Sequence, residues 1–209
     1  MVRHAELPEI TLAEQIMSMP AFVQRRWTER DVRLLIDEAP EPTPRYELVD
    51  GELLVTPSPG GMHQRIVTEL IALLGAFLRA HSSGELRPSP SDVRLAPELV
   101  VQPDLFVIPN VDGKRPRADA PVTRLLLAIE ILSPSSARYD RVIKRRAYQA
   151  AGVGEYWIVD EDSRTIERWR PEDVRPEVQD VTLTWSPSDA HEPFVLDVRQ
   201  FFAAVRDDA

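Results

Sequence analysis

Residues 125–132 read Leu125-Leu126-Leu127-Ala128-Ile129-Glu130-Ile131-Leu132, an apolar run interrupted by one carboxylate. Such a short run suits a strand covered on both faces of a sheet. It is too short to span a bilayer. An ionised carboxylate inside it costs several kcal/mol unless it is paired or binds a metal. The run therefore implies both a central strand and a group on it that needs a partner.

Working upstream, Asp104 opens a second nearly apolar stretch, Asp104 to Ile108, directly after Pro103. Two carboxylates at the ends of two buried strands can converge on one divalent cation. Mg²⁺ and Mn²⁺ prefer oxygen ligands and keep waters for substrate and nucleophile. The competing reading is a structural ion pair, or a glutamate at the strand's exposed end.

Downstream, Asp140 to Ala151 reads as a helix ended by Gly152. Asp140, Lys144 and Tyr148 line one face, beside an apolar stripe of Ile143, Ala147, Ala150 and Ala151. A lysine there can hold an attacking water or stabilise charge on a phosphate. Alternatively, Asp140 and Lys144 form an exposed helical pair worth a few tenths of a kcal/mol. Arg138, Arg141, Arg145 and Arg146 concentrate positive charge around this helix. They read either as a DNA-backbone patch or as a solvated face.

The remaining segments complete a pattern. Thr28, with Asp31 three residues on, starts a helix through about Glu38. Tyr46 to Thr56 reads as a hairpin turning at Asp50-Gly51. Met62 to Ala80 has helical apolar spacing, with His63 at its start. Asp92 to Leu95, Glu155 to Asp160 and Thr165 to Arg170 read as strands, Val181 to Trp185 as an edge strand and Asp197 to Val205 as a closing helix. The class is α/β (α+β): a central mixed β-sheet flanked by helices, with an N-terminal β-hairpin. Residues 1–27 read as an extension with a short helix from Leu12 to Met17, and residues 28–209 as one domain.

The chain has 209 residues, no cysteine and a formal net charge of -9. Disulfides and thiolate metal sites are excluded, and a cytoplasmic protein without a signal peptide or membrane span is expected. The acidity argues against tight, non-specific DNA binding, but a nuclease needs only a local basic patch. There is no zinc spacing, no Gly-x-Ser-x-Gly and no phosphate loop.

In order along the chain come Tyr46-Glu47-Leu48-Val49-Asp50-Gly51-Glu52-Leu53, His63, Gln102-Pro103-Asp104-Leu105, and Ile129-Glu130-Ile131-Leu132-Ser133-Pro134-Ser135-Ser136. Asp140, Lys144, Tyr148 and Ala151-Gly152-Val153-Gly154-Glu155-Tyr156-Trp157-Ile158-Val159-Asp160 follow. This set, spanning about residues 28 to 170, resembles the Uma (Uma two) family designated restriction endonucleases, within the PD-(D/E)xK nuclease superfamily. The resemblance implies a restriction-endonuclease-like fold and a Mg²⁺- or Mn²⁺-dependent endonuclease acting on DNA. It implies metal ligation by Asp104 and Glu130, with Glu47 or Glu52 completing the site. The superfamily lysine would stand two residues after Glu130, where this chain has Leu132; the resemblance implies that Lys144 supplies it. His63 is a candidate to help align the site or contact phosphate. Arg138, Arg141 and Arg145 are candidates for DNA contact.

Two other functions fit the same residues: a catalytically inactive binding module, and a metal-dependent hydrolase of small phosphorylated molecules. A homodimer is expected, because one site per chain must pair to cut both strands. The stretch from Tyr156 to Trp169 and the N-terminal extension are the candidate interface. Lys144 is expected to matter more to turnover than to folding.

Overall fold

A computed structural model of the protein describes residues 26–39, 44–56, 59–134, 136–188 and 192–206. The helix expected from Leu12 to Met17 lies outside the described residues. Helix α1, Glu29–Glu38, starts at the expected capping box: the Asp31 amide donates to Thr28 Oγ1 at 3.3 Å, and the Thr28 amide donates to Asp31 Oδ2 at 3.0 Å. Each bond satisfies a donor that the first helical turn leaves open. Its buried face, Val32 and Leu35, turns toward the following hairpin.

Strands β1, Arg45–Val49, and β2, Glu52–Thr56, form that hairpin. Asp50 and Gly51 both adopt positive φ, 52° and 78°, as a tight primed turn requires. The hairpin does not stand alone. β1 also pairs with β5, Leu99–Val101, and β5 with β4, Val93–Ala96, giving a four-stranded antiparallel sheet.

Helix α2 runs Gly61–His81, and Ile66, Leu70, Leu74 and Leu78 bury one side of it. The main sheet has six strands, in the order β10-β9-β8-β7-β6-β3. These are β3, Glu85–Pro88; β6, Leu105–Ile108; β7, Leu127–Ile131; β8, Glu155–Asp160; β9, Thr165–Trp169; and β10, Glu177–Gln179. β7 and β8 are parallel and the other pairings antiparallel, so the sheet is mixed. A parallel pair needs a crossover. Here it is a π-helical turn, Tyr139–Lys144, continuing into α3, Arg145–Ala150. Gly152, at φ 70°, turns the chain out of α3. Gly154 then passes so close to β7 that a Cβ there would sit 2.6 Å from the Leu126 carbonyl oxygen.

β7 and β6 are buried at every position, as their apolar runs require. Leu105, Val107, Leu127, Ile129 and Ile131 pack with α2 and with α4, Val198–Arg206. Phe106, Ile108 and Ala128 belong to the second cluster, with Tyr148 from α3 and Val49, Val93 and Val101 from the four-stranded sheet.

Two expectations change. β11, Thr182–Trp185, pairs with β12, Phe194–Asp197, in a separate two-stranded sheet, not at the edge of the main one. The main sheet's edges are β3 and the three-residue β10. Tyr156, Trp157 and Trp169 are 1%, 0% and 7% exposed, so these aromatics are core, not a partner surface. Their alternation with polar neighbours is weak because β8 is covered on both faces.

Candidate active site

The register of β6 against β7 pairs Leu105 with Ile129, and one further step sets Asp104 opposite Glu130. Opposed residues of an antiparallel pair project to one face. Both carboxylates line one cleft of about 310 Å³, together with Arg45, His63, Asp140 and Lys144.

Asp104 is 3% exposed and fully engaged. Arg45 Nη1 donates to Oδ1 at 2.8 Å, and the Ile131 amide donates to Oδ2 at 2.8 Å. His63 Nε2 lies 2.9 Å from the same Oδ2. An ionised carboxylate only accepts, so that nitrogen carries the proton. Burial alone would raise the Asp104 carboxyl. The His63 hydrogen bond, the charges of His63 and Arg45, and the Ile131 amide outweigh it and hold Asp104 at about 2.

Glu130 has a different environment. Lys144 Nζ donates to its Oε1 at 2.9 Å, and Tyr148 Oη donates to the same oxygen at 3.1 Å. Lys144, 4% exposed, also lies 2.7 Å from Glu47 Oε2 and 3.6 Å from Asp140 Oδ1. Three carboxylates thus surround one ammonium. Burial pushes Glu130 well above the usual carboxylate range; Lys144 opposes this, while Asp140, Asp104 and Glu47 add to it. Asp140 is raised as well, first by burial. Burial would lower Lys144, but its three acidic neighbours win and hold its proton more firmly than usual. Glu130 and Asp140 are thus both shifted upward beside an ammonium that stays charged.

Sequence candidates therefore separate. Asp104, Glu130, Lys144 and His63 meet at the cleft. Glu47 stands behind Lys144, accepting from the Gln102 amide at 2.7 Å. Glu52 does not join them. It is level with Val49 at the turn end of the hairpin and exposed, so it is not placed to complete the site. Arg141 is tied to Glu167 at 2.7 Å and Asp160 at 2.8 Å. Arg145 lies over the Trp169 ring, 4.8 Å from its centroid. Arg138 is exposed, and none of the three lines the cleft. The proposed arginine patch is thus not assembled beside the carboxylates, because the sheet supplies Arg141 and Arg145 with partners of their own. Lys144 is not the exposed helical lysine of the alternative reading but a buried ion-pair centre.

Arg45, Asp140 and Tyr148 belong to the site and were not among the sequence candidates for it. Asp140 and Tyr148 carried a signal in their shared face with Lys144. Arg45 carried none, as its partner Asp104 lies 59 residues away.

Among the described residues no group of three or more His, Asp or Glu is arranged to hold a metal ion. A Mg²⁺ site does not need one, since it uses one or two carboxylates plus waters and substrate phosphates. Asp104 and Glu130 fit that open pattern. The surplus of buried carboxylates over side-chain cations also favours an added cation.

Comparison with known proteins finds a family and structures of similar fold. The model of the Uma2 family, described as "Putative restriction endonuclease", matches residues 32–199. A solved structure from Anabaena variabilis, titled "a putative nuclease belonging to DUF820", has 20% sequence identity and a TM-score of 0.66, covering 83% of this chain and 98% of that chain. That likeness shows a shared fold. No curated protein matches the chain.

Proposed function

This chain belongs to the Uma2 family, and from that membership we propose that it is a metal-dependent endonuclease hydrolysing DNA phosphodiester bonds. The observation that carries the reading is the pair Asp104 and Glu130, opposed on neighbouring strands at one cleft beside Lys144. Asp104 and Glu130 would hold a Mg²⁺ or Mn²⁺ ion, which when bound supplies a water of lowered pKa and neutralises phosphate charge. Arg45 and His63 hold Asp104 ionised and in place. Lys144 acts as an ammonium: it donates to a water or to the charge growing on the phosphate, and its firmly held proton rules it out as a base. The chain works as a homodimer when both strands of a duplex are cut.

A second reading has its own support. With a net charge of -9 and Arg141 and Arg145 engaged away from the cleft, hydrolysis of small phosphorylated molecules is its nearest rival. Cleavage of plasmid, single-stranded DNA and RNA with Mg²⁺ and Mn²⁺, beside an aryl phosphate, separates the two. The endonuclease reading expects metal-dependent plasmid nicking, weakened by salt and abolished by Asp104→Asn. Aryl phosphate turnover without nicking supports the rival. No turnover of any substrate overturns both and leaves a binding module.

A further inference from the structure

Within the nuclease reading above, the cleft holds a carboxylate without a task. We propose that Asp140 holds the attacking water and takes its proton. Its side chain is 2% exposed, yet it lines the cleft, and its Oδ1 is buried with no hydrogen-bond partner. A buried acceptor left open costs stability. The neighbouring Glu47 differs in its contacts: its Oε1 accepts from the Gln102 amide at 2.7 Å, and its Oε2 makes a close ion pair with Lys144 Nζ at 2.7 Å. Asp140 has a hydrogen bond with Ser136, but its Oδ1 has only Lys144, at 3.6 Å, beyond direct hydrogen-bond reach. A gap of that size between a donor and an acceptor suits a shared water.

The local backbone supports the assignment. Asp140 and Lys144 sit on the same π-helical turn, a rare geometry that concentrates at functional sites. The other groups at this end of the cleft are committed. Asp104 accepts from Arg45, His63 and the Ile131 amide; Glu130 accepts from Lys144 and Tyr148; Lys144 is a donor only. His63 Nδ1 and Glu161 Oε2 are also open, but His63 bonds to Asp104, and Glu161, unlike Asp140, is not paired with Lys144.

In the step, Lys144 donates to the water oxygen and Asp140 accepts from it. The O–H bond breaks as the oxygen bonds to phosphorus, and the proton passes to the Asp140 carboxylate. The P–O bond to the sugar breaks with its electron pair, and the leaving oxygen takes a proton from bulk water.

The test is Asp140→Asn, which keeps the shape and removes the basic oxygen, with Asp140→Glu as the conservative variant. Three quantities are measured: plasmid cleavage at saturating DNA, Mn²⁺ affinity by calorimetry, and thermal stability. The proposal expects turnover at least about a hundredfold lower in Asp140→Asn. It expects Mn²⁺ affinity within about twofold, a melting temperature that does not fall, and partial activity in Asp140→Glu. A purely structural role predicts the reverse: a lower melting temperature with turnover per folded molecule intact. That result overturns the proposal, as does Asp140→Asn cleaving within about twofold of wild type. If Asp140→Asn does not fold, Asp140→Glu decides: activity within twofold of wild type or a lowered melting temperature with normal turnover per folded molecule counts against the role, and reduced turnover with normal stability counts for it. Failure of the wild-type protein itself to cut is a different outcome, which removes the nuclease reading and this role with it.

Discussion

Asp104 and Glu130 face one cleft from neighbouring strands, and their surroundings push them in opposite directions. Asp104 has a guanidinium, an imidazole N–H and a backbone amide, and its carboxyl is held at about 2. Glu130 shares one ammonium with Glu47 and Asp140 and is pushed well above the usual range by burial. Burial is nearly equal at the two, so the difference comes from the count of partners. One side is a carboxylate ready as an anionic ligand. The other carries more negative charge than its lysine neutralises, and a bound divalent cation would relieve it.

The sharpest way to break this contrast is Lys144→Ala. It leaves Glu47, Glu130 and Asp140 without their shared cation, and removing one partner of a buried ion pair costs about 3–5 kcal/mol. Urea unfolding is expected to show that loss, so Lys144 contributes to folding as well as to turnover. A loss below about 1 kcal/mol would mean that the ammonium is not the cluster's centre.

Next in size is the pH dependence. Asp104 is depressed from 3.8 to about 2 on folding. Its stabilisation, about 2 kcal/mol, is therefore complete above about pH 4 and lost as pH falls toward 2. Glu130 has the opposite sign. Its folded form retains the proton above the ordinary value of 4.5, so its cluster costs stability as pH rises from there toward the folded value. Stability is expected to peak in mildly acidic solution. Asp104→Asn should flatten the acid limb and Glu130→Gln the limb toward neutrality, both read from unfolding across pH. Identical profiles for the two variants would erase the contrast.

Two smaller effects sharpen it. Tyr148→Phe removes one buried hydrogen bond to Glu130 and is expected to cost about 1 kcal/mol, since Lys144 still serves that oxygen. Arg141→Ala breaks two partly exposed pairs on the far side of the helix. It is expected to cost about 1 kcal/mol or less and to leave Mn²⁺ affinity unchanged. A loss of metal affinity in Arg141→Ala would extend the site beyond the cleft.

The parts of this arrangement readable from sequence share a cause. Glu130 stands out because it interrupts an apolar run, and Asp104 because it opens one. The capping box at Thr28 and the Asp50-Gly51 turn are local chemistry, and both form where expected. What escaped depends on distant pairing. β5 and β10 are three residues long, too short for any periodicity to register. Arg45 opens a hairpin strand and gains its meaning only from Asp104, brought beside it by the fold. Lys144 and Asp140 look like a surface pair four apart until the π turn and the β7 strand bury them together. The arginines of the same helix mislead in the other direction: their clustering suggests a DNA-facing patch, but Asp160, Glu167 and Trp169 lie within their reach.

The central claim is that Asp104 and Glu130 form one open site for a divalent cation. Calorimetric titration of the full chain with Mn²⁺, beside Asp104→Ala, tests it most directly. The expected result is a single saturable binding event in the wild-type protein that disappears in Asp104→Ala while the variant stays folded. Binding of equal strength in both, or no saturable binding to the wild-type chain, would contradict it.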